Sequence, residues 1–199
     1  SNLLAQEGYA FSQADINLTS SPTRGLDGKI SIDSLVYNDI HLDSIRADLT
    51  SIDGQLNYLL SVKNNPSNTY PYHGYLQGAL YEHGLQTHAT ILDKDGKTGF
   101  DLAMQAAMKR RGIELSITSP KSVLGYKSFA VNDSNYIYIG RDRRLSANLR
   151  LEAADGTGML VSTEDADTAS LQNVTLSMNH FELGSLFAVL PFAPKLSGM

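Results

Sequence analysis

Apolar and polar residues alternate along most of this 199-residue chain. Successive side chains of a β-strand point to opposite faces, so this period of two predicts strands in a sheet with one apolar and one polar face. The stretch ISIDSLVYNDIHLDSIRADLTSIDGQLNYLLSV, residues 30–62, shows the alternation almost without interruption. Its phase breaks near Ser34 and Asp43, which indicates bulges or corners rather than one flat ribbon.

Asp–Gly pairs separate the alternating segments and predict tight hairpin turns, because both residue types tolerate positive φ angles. The four pairs begin at Asp27, Asp53, Asp95 and Asp155. We therefore expect consecutive antiparallel hairpins. The predicted strands cover residues 8–19, 28–37, 40–50, 54–63, 71–82, 85–93, 97–108, 111–119, 127–131, 136–139, 144–153, 157–163 and 170–180.

A short segment near the C-terminus, LGSLFAVLP, shows the period of a helix instead. Its apolar residues follow the i, i+3, i+4, i+7 spacing that places them on one helical face, and Pro191 ends the run. These apolar residues are Leu183, Leu186, Phe187 and Leu190. The sequence thus predicts one short amphipathic helix in an otherwise all-β chain.

The predicted fold class is all-β, with the hairpins forming a curled, elongated sheet. Alternation alone leaves two arrangements open: an open trough with an accessible apolar face, or a sandwich-like packing whose inner faces cover each other. We expect a single β-rich domain over residues 1–199, with a possible internal boundary at the Asn- and Pro-rich segment 64–74. The start at Ser1 and the stop just after Gly198 suggest a fragment of a longer protein.

Composition and charge narrow the classes of function. A net charge of -5 argues against a nucleic-acid binder, and the basic cluster Arg141, Arg143 and Arg144 has Asp142 within the same turn. The absence of cysteine removes disulfides, thiolate catalysis and Cys-based zinc sites. No apolar run reaches the roughly 20 residues of a membrane-spanning helix.

Candidate catalytic and metal-binding residues form no recognisable motif. The five histidines are dispersed, without the paired spacing of metal ligands on a helix. The segment DKDGKTGFD, residues 93–101, lacks the ligand and glycine positions of a calcium loop, and no G-x-S-x-G elbow occurs. We therefore expect no catalytic residue, no metal site and no cofactor, and predict that the chain is not an enzyme.

Tyrosine is the enriched aromatic type, with ten residues against six phenylalanines and no tryptophan. The run Tyr70, Tyr72, Tyr75 and Tyr81 could form a stacking surface for a sugar or peptide. Cross-strand packing of tyrosines on half-exposed strands is the interpretation that we favour. Both interpretations stay open on the residues alone.

Two stretches resemble a known family. The first, ISIDSLVYNDIHLDSIRADLTSIDGQLNYLLSVKN, resembles the repeating strand, Y-N-D-I turn and strand units of the TamB family of AsmA-like proteins. The second, LQNVTLSMNHFELGSLFAVLPFAPKLSG, is similar to that family's succession of a strand, a short Leu-rich helix and a Pro-containing turn. The likeness spans most of residues 28–198 and rests on pattern rather than on catalytic residues.

The resemblance implies a non-enzymatic periplasmic segment of an outer-membrane biogenesis protein from two-membrane bacteria. Such a protein is anchored in the inner membrane by a segment absent here, and its partner is an outer-membrane barrel of the TamA type. Its apolar β groove moves phospholipid between membranes or helps to assemble outer-membrane proteins, and acyl chains shielding an apolar face agree with the hydrophobic effect. The expected groove lining is Leu56, Tyr58, Leu60, Phe100, Leu102, Met104, Leu115, Leu149, Leu176 and Met178.

Two other functions stay open. A β-sandwich binding or adhesion module could recognise a glycan or a protein through the tyrosine segment. An enzyme could gather carboxylates from different strands into one cleft. Flanking sequence with further hairpin units would favour the groove, whereas a sugar-binding neighbour would favour the binding module.

Overall fold

The computed structural model describes residues 9–23, 25–37, 40–68, 72–164 and 173–180. These residues form strands and turns, with no helix among them, and the predicted all-β class is confirmed for them. The predicted helix over residues 183–190 lies outside the described residues. The described strands are β1 (Tyr9–Phe11), β2 (Ala14–Ser21), β3 (Gly25–Tyr37), β4 (Ile40–Ile52), β5 (Gln55–Lys63), β6 (His73–Tyr81), β7 (Gly84–Leu92), β8 (Thr98–Lys109), β9 (Gly112–Ile117), β10 (Lys121–Leu124), β11 (Lys127–Val131), β12 (Tyr136–Gly140), β13 (Leu145–Glu152), β14 (Gly158–Glu164) and β15 (Asn173–Asn179).

All described strands belong to one antiparallel sheet. From β2 to β8 each strand pairs with the next one along the chain, so the first half of the sheet is a simple meander. The segment 64–74 runs from the end of β5 into the first two residues of β6, and these two strands are directly paired neighbours in that meander. The predicted succession of hairpins is therefore present in this half of the described chain.

Three of the four Asp–Gly pairs form turns, and their glycines have φ angles between 76° and 81°. Glycine adopts this region without steric cost because it has no Cβ. The prediction was wrong for Asp27–Gly28, which lies inside β3. The chain turns instead just before Gly25, whose φ is 72°. Gly28 serves a packing purpose, because a Cβ there would overlap the side chain of Leu18 on β2.

A bend crosses the first strands at the predicted break in the alternation. Ser44 on β4 has a positive φ of 47°, and the β3–β4 ladder skips the position opposite it, Asp33. Beside this point the predicted strand 8–19 divides into β1 and β2 at Ser12 and Gln13. The interruption between β1 and β2, the position Asp33 in β3 that has no partner in β4, and the positive φ at Ser44 in β4 therefore lie side by side. We call this place the corner.

Strand β10 was not predicted, because its four residues KSVL lie between Pro120 and Gly125 and are too few to show a period. This strand changes the architecture. One half of β8 pairs with β9 and the other half with β10. The two branches, β9–β12 and β10–β11, rejoin at β13. Strands β8 to β13 thus close a ring of pairings, which we call the ring.

The packed core lies in and beside the ring. The buried hydrophobic side chains of the described residues are Phe129, Ala147, Leu149, Leu151 and Ala153. Side chains from both branches pack against this cluster, Ile117 from one and Leu124 from the other. Elsewhere in the described sheet, hydrophobic side chains keep partial or full exposure. The ring is therefore the one place in the described chain where the sheet closes over its own apolar side chains.

Candidate functional site

An unbroken row of apolar side chains crosses the first half of the sheet. Directly opposed residues of an antiparallel ladder place their side chains on the same face. From β2 to β8 the register aligns Ile16, Ile30, Ala47, Leu60, Leu76, Ala89 and Leu102. At about 4.8 Å between strands, the row is about 29 Å long. We call the face that carries this row the apolar face and the opposite one the polar face.

The rows on either side of the first are also largely apolar. One contains Ala14, Ile32, Ile45, Val62, Gly74, Ile91 and Phe100. The other contains Leu18, Gly28, Leu49, Tyr58, Gly78, Thr87 and Met104. The apolar face continues beyond the ring, where Leu176 lies opposite Val161 and Met178 opposite Met159. Apolar side chains therefore occupy the same face from β2 to β15.

The register places all ten residues of the predicted lining on this apolar face. They are distributed over five strands rather than gathered in one pocket. The ten are Leu56, Tyr58 and Leu60 on β5; Phe100, Leu102 and Met104 on β8; Leu115 on β9; Leu149 on β13; and Leu176 and Met178 on β15.

The apolar-face residues of β2, β3 and β4 were missed by the sequence analysis. They include Ile16, Ile30 and Ala47, which begin the first row. The same alternation marks them, but the phase break at Ser44 separates β3 from the part of β4 that pairs with β5, so the sequence does not show which side chains of β3 continue the face of β5. The register supplies that link.

Accessibility of the apolar face differs between its parts. Ile16 is 65% exposed, Leu80 50% and Leu176 60%, whereas Leu149 is 7% exposed because it belongs to the core of the ring. Leu149 is thus packed by this chain's own side chains and out of a ligand's reach. The core of the ring therefore covers part of the apolar face between the β2–β8 meander and the β14–β15 hairpin, while Met108, Ile113 and Ile139 on the same face of the ring stay exposed.

The side chain of Tyr58, on the apolar face, connects its own strand β5 to the next two strands. Its hydroxyl donates a hydrogen bond to the carbonyl oxygen of Gln86 on β7, at 3.2 Å. To reach that oxygen, the side chain passes over Gly78 on β6, where an added Cβ would lie 2.7 Å from the hydroxyl. An aromatic side chain covering a glycine in a neighbouring strand compensates for the packing that the glycine lacks. One side chain thus joins three strands.

The four tyrosines of the predicted stacking surface do not form one platform. Burial raises the pKa of Tyr72 to about 12. Tyr81 covers Gly84, and its hydroxyl accepts a hydrogen bond from the Gln105 side-chain amide at 3.1 Å. Tyr75 is exposed on the polar face, and Tyr70 lies outside the described residues.

The histidines with side-chain partners lie in separate places. His88 Nε2 lies 3.1 Å from a carboxylate oxygen of Asp101 and 3.5 Å from the hydroxyl of Thr90. A nucleophilic relay needs the acid on one ring nitrogen and the hydroxyl on the other, but here both face the same nitrogen. The same holds for His41, whose Nε2 lies 2.8 Å from the Ser34 hydroxyl and 3.4 Å from an Asp43 carboxylate oxygen. His83 instead pairs with Glu82 in a turn, at 3.7 Å. The described residues contain no group of three or more His, Asp or Glu arranged for a metal ion.

A network of hydrogen bonds fastens the loop after β5 to the corner of β4. The Asp43 N–H donates to the side-chain oxygen of Asn64, at 2.8 Å. The Asp43 carboxylate accepts from the Asn65 N–H and from the Asn68 side-chain amide, each at 3.0 Å. These bonds, that of Asn65 first, hold the pKa of Asp43 below its ordinary value. The bend is thus stabilised by hydrogen bonds from the loop after β5.

An open depression lies against the middle of the meander, with a volume of 640 Å³. Most of its lining residues belong to the polar face of β4 to β8, among them Asn57, Gln77, Gln86 and His88. These four side chains offer hydrogen-bond donors and acceptors, and apolar groups such as those of Leu59 and Ala79 lie beside them. The depression is therefore distinct from the apolar face on the other side of the same strands.

Comparison of the sequence with protein-family models, with curated proteins and with solved structures gives no match. In the part of the chain that the structure describes, no helix has the length and hydropathy to cross a membrane. The geometry of the sheet and the sequence pattern are the observations that bear on function.

Proposed function

We propose that this chain is a non-enzymatic segment of the bacterial cell envelope that carries phospholipid acyl chains along its apolar face. The observation that supports the proposal is the unbroken seven-residue row from β2 to β8. That row is about 29 Å long. One leaflet contributes about 15 Å of hydrocarbon to a bilayer. The row is therefore about twice as long as the hydrocarbon of one leaflet is thick.

The energetics favour an acyl chain on this surface. Each methylene removed from water contributes about 0.8 kcal/mol, and the partly exposed side chains of the row gain in the same way when they are covered. Similar apolar side chains recur on successive strands of the meander, so neighbouring positions offer an acyl chain comparable stabilisation. A surface with this repetition suits movement along the sheet better than tight binding at one point.

The cellular setting follows from the family resemblance. We place the chain in the periplasm, within a longer protein that is anchored in the inner membrane. Its partner at the outer membrane would be a barrel of the TamA type. The segment would then move phospholipid between the membranes, assist the assembly of outer-membrane proteins, or do both.

Two neighbouring residues of β6 provide a matched test. Leu76 is 36% exposed on the apolar face, and Gln77 is exposed on the polar face. Leu76→Glu and Gln77→Glu add the same charge to the same strand, one residue apart, but on opposite faces. We expect the wild-type chain, purified from a periplasmic extract, to carry phospholipid in native mass spectrometry. Leu76→Glu should reduce lipid capture at least about tenfold, equivalent to 1.4 kcal/mol, and Gln77→Glu should leave it unchanged.

Circular dichroism of both variants controls for loss of fold. The proposal fails if the wild-type chain carries no phospholipid, or if both variants lose it equally while remaining folded. Transfer of a fluorescent phospholipid between vesicles provides a second readout, because it measures acyl-chain movement rather than retention during purification.

The polar-face depression favours a second candidate function, the binding of a glycan. Its volume of 640 Å³ is within the range of small-molecule sites, and its carboxamides suit hydroxyl groups. Calorimetric titration with maltohexaose and chitohexaose tests this function. Glycan binding should be lost in Gln77→Glu and kept in Leu76→Glu, the reverse of the result expected for lipid. The same two variants therefore distinguish the two functions.

A further inference from the structure

Strand β15 forms an edge of the described sheet. Its seven residues, Asn173–Asn179, pair with β14 along their whole length, and no other described strand pairs with β15. All seven residues are exposed. The sequence NVTLSMN contains no charge and no proline.

Such an edge is a template for another strand. Its outward N–H and C=O groups can continue the ladder, and natural proteins usually block this with a lysine, a proline, a bulge or a very short strand. None of these protections is present in β15. The opposite edge is different, because β2 carries the charged residue Asp15.

The order of residues in β15 is self-complementary about its centre. Read from either end, the strand gives an Asn, an unbranched or β-branched apolar residue, a hydroxyl residue and then the central Leu176. The matching pairs are Asn173 with Asn179, Val174 with Met178, and Thr175 with Ser177. An antiparallel pairing of two identical strands would place each residue opposite one of its own kind.

We propose that β15 pairs antiparallel with β15 of a second copy of this chain, about a two-fold axis at Leu176. In that register Leu176 lies opposite its own copy, and Val174 lies opposite Met178 of the second copy. Residues opposed in this way share a face, so the apolar face continues unbroken from one copy to the other. Thr175 and Ser177 meet on the polar face, where hydroxyl pairs across strands are favourable.

The two-fold arrangement also limits the assembly to a dimer. A pairing of β15 with β2 of another copy would leave a free edge at each end and build an open chain of copies. The β15–β15 pairing uses the same edge of both copies and closes on itself. This inference does not depend on the proposed lipid transport, since it follows from the edge and order of β15.

Analytical ultracentrifugation of the full chain tests the proposal. We expect a concentration-dependent dimer for the wild type. Leu176→Lys would place two like charges directly opposite each other, which destabilises a strand pair, and should weaken dimerisation at least about tenfold. The matched control is Leu80→Lys, on the same apolar face but in the central strand β6, which should dimerise as the wild type does.

An introduced cysteine gives a second readout, because the chain has none of its own. Leu176→Cys should form a disulfide-linked dimer on mild oxidation, since opposed Cβ atoms at a two-fold axis lie about 5 Å apart. Leu80→Cys should not. A monomeric wild type, association beyond a dimer, or equal cross-linking of the two cysteine variants would each overturn the proposal. Lipid capture is measured separately, so its failure leaves this result unaffected.

Discussion

Replacing Phe129 with alanine should show that the core of the ring contributes more to the free energy of unfolding than the exposed part of the apolar face does. Phe129 is 2% exposed and lies at the centre of the ring core, in one cluster with Leu149, Leu151 and Ala153. Phe129→Ala removes the phenyl group and leaves a cavity, since the surrounding strands are held in place by their own ladders. Substitutions of this kind cost about 3–5 kcal/mol.

The control is Leu80→Ala, on the same apolar face but 50% exposed. Full burial of a leucine contributes about 1.5–3 kcal/mol, so half burial predicts a loss of about 1 kcal/mol. A single domain is stable by about 5–15 kcal/mol. Phe129→Ala should therefore remove about a fifth or more of the total stability, and Leu80→Ala a smaller part of it.

Urea unfolding followed by far-UV circular dichroism measures both losses. With a urea dependence of about 2 kcal/mol per molar, the midpoint should fall by about 2 M for Phe129→Ala and by about 0.5 M for Leu80→Ala. Amide exchange should show the loss of protection first in β13 and β11. Equal midpoints for the two variants would refute the argument that the ring is the packed core.

Three further predictions concern the meander and its corner. Gly78→Ala should destabilise the chain by at least about 2 kcal/mol more than Gly74→Ala. A Cβ at Gly78 would overlap the carbonyl oxygen of Gln86, whereas at Gly74 it meets only an ordinary contact at 3.9 Å; equal urea midpoints would contradict this. Because the folded pKa of Asp43 lies below 3.8, its hydrogen bonds stabilise the corner above that pH and are lost as the pH falls through the folded value. The Asn65 amide resonance should follow that loss in an NMR titration, and an unchanged resonance would count against it. Tyr72, with a pKa raised from 10.0 to about 12 by burial, should stabilise the fold below pH 10 and destabilise it progressively as the pH rises towards 12. Ultraviolet absorbance should show a late tyrosine ionisation that Tyr72→Phe removes.

Much of the fold could be predicted because its signals are local. The period of two fixes which side chains of a strand share a face, and three Asp–Gly pairs mark real turns. The Asp27–Gly28 pair predicted a turn, and that prediction was wrong. Glycine at position 28 leaves room for the side chain of Leu18 and does not form a turn. Strand β10 was missed because its four residues carry no period.

The candidate site was predictable in part for the same reason. Alternation identified the apolar residues of β5, β8, β9 and β15, and the register then placed them on one face. It could not connect β3 to that face across the kink at Ser44. It also could not separate Leu149, which is packed inside the ring, from the exposed Leu176, because burial depends on what lies above a strand.

The sequence by itself determined that this protein is a sheet with two chemically different faces, since the alternation of side chains is a property of each strand alone. Tertiary structure decided which edges meet. The division of β8 between β9 and β10, and the return of both branches to β13, depend on pairings between distant segments that no local period records. Those pairings decide where the apolar face is closed into a core and where it stays open to a ligand.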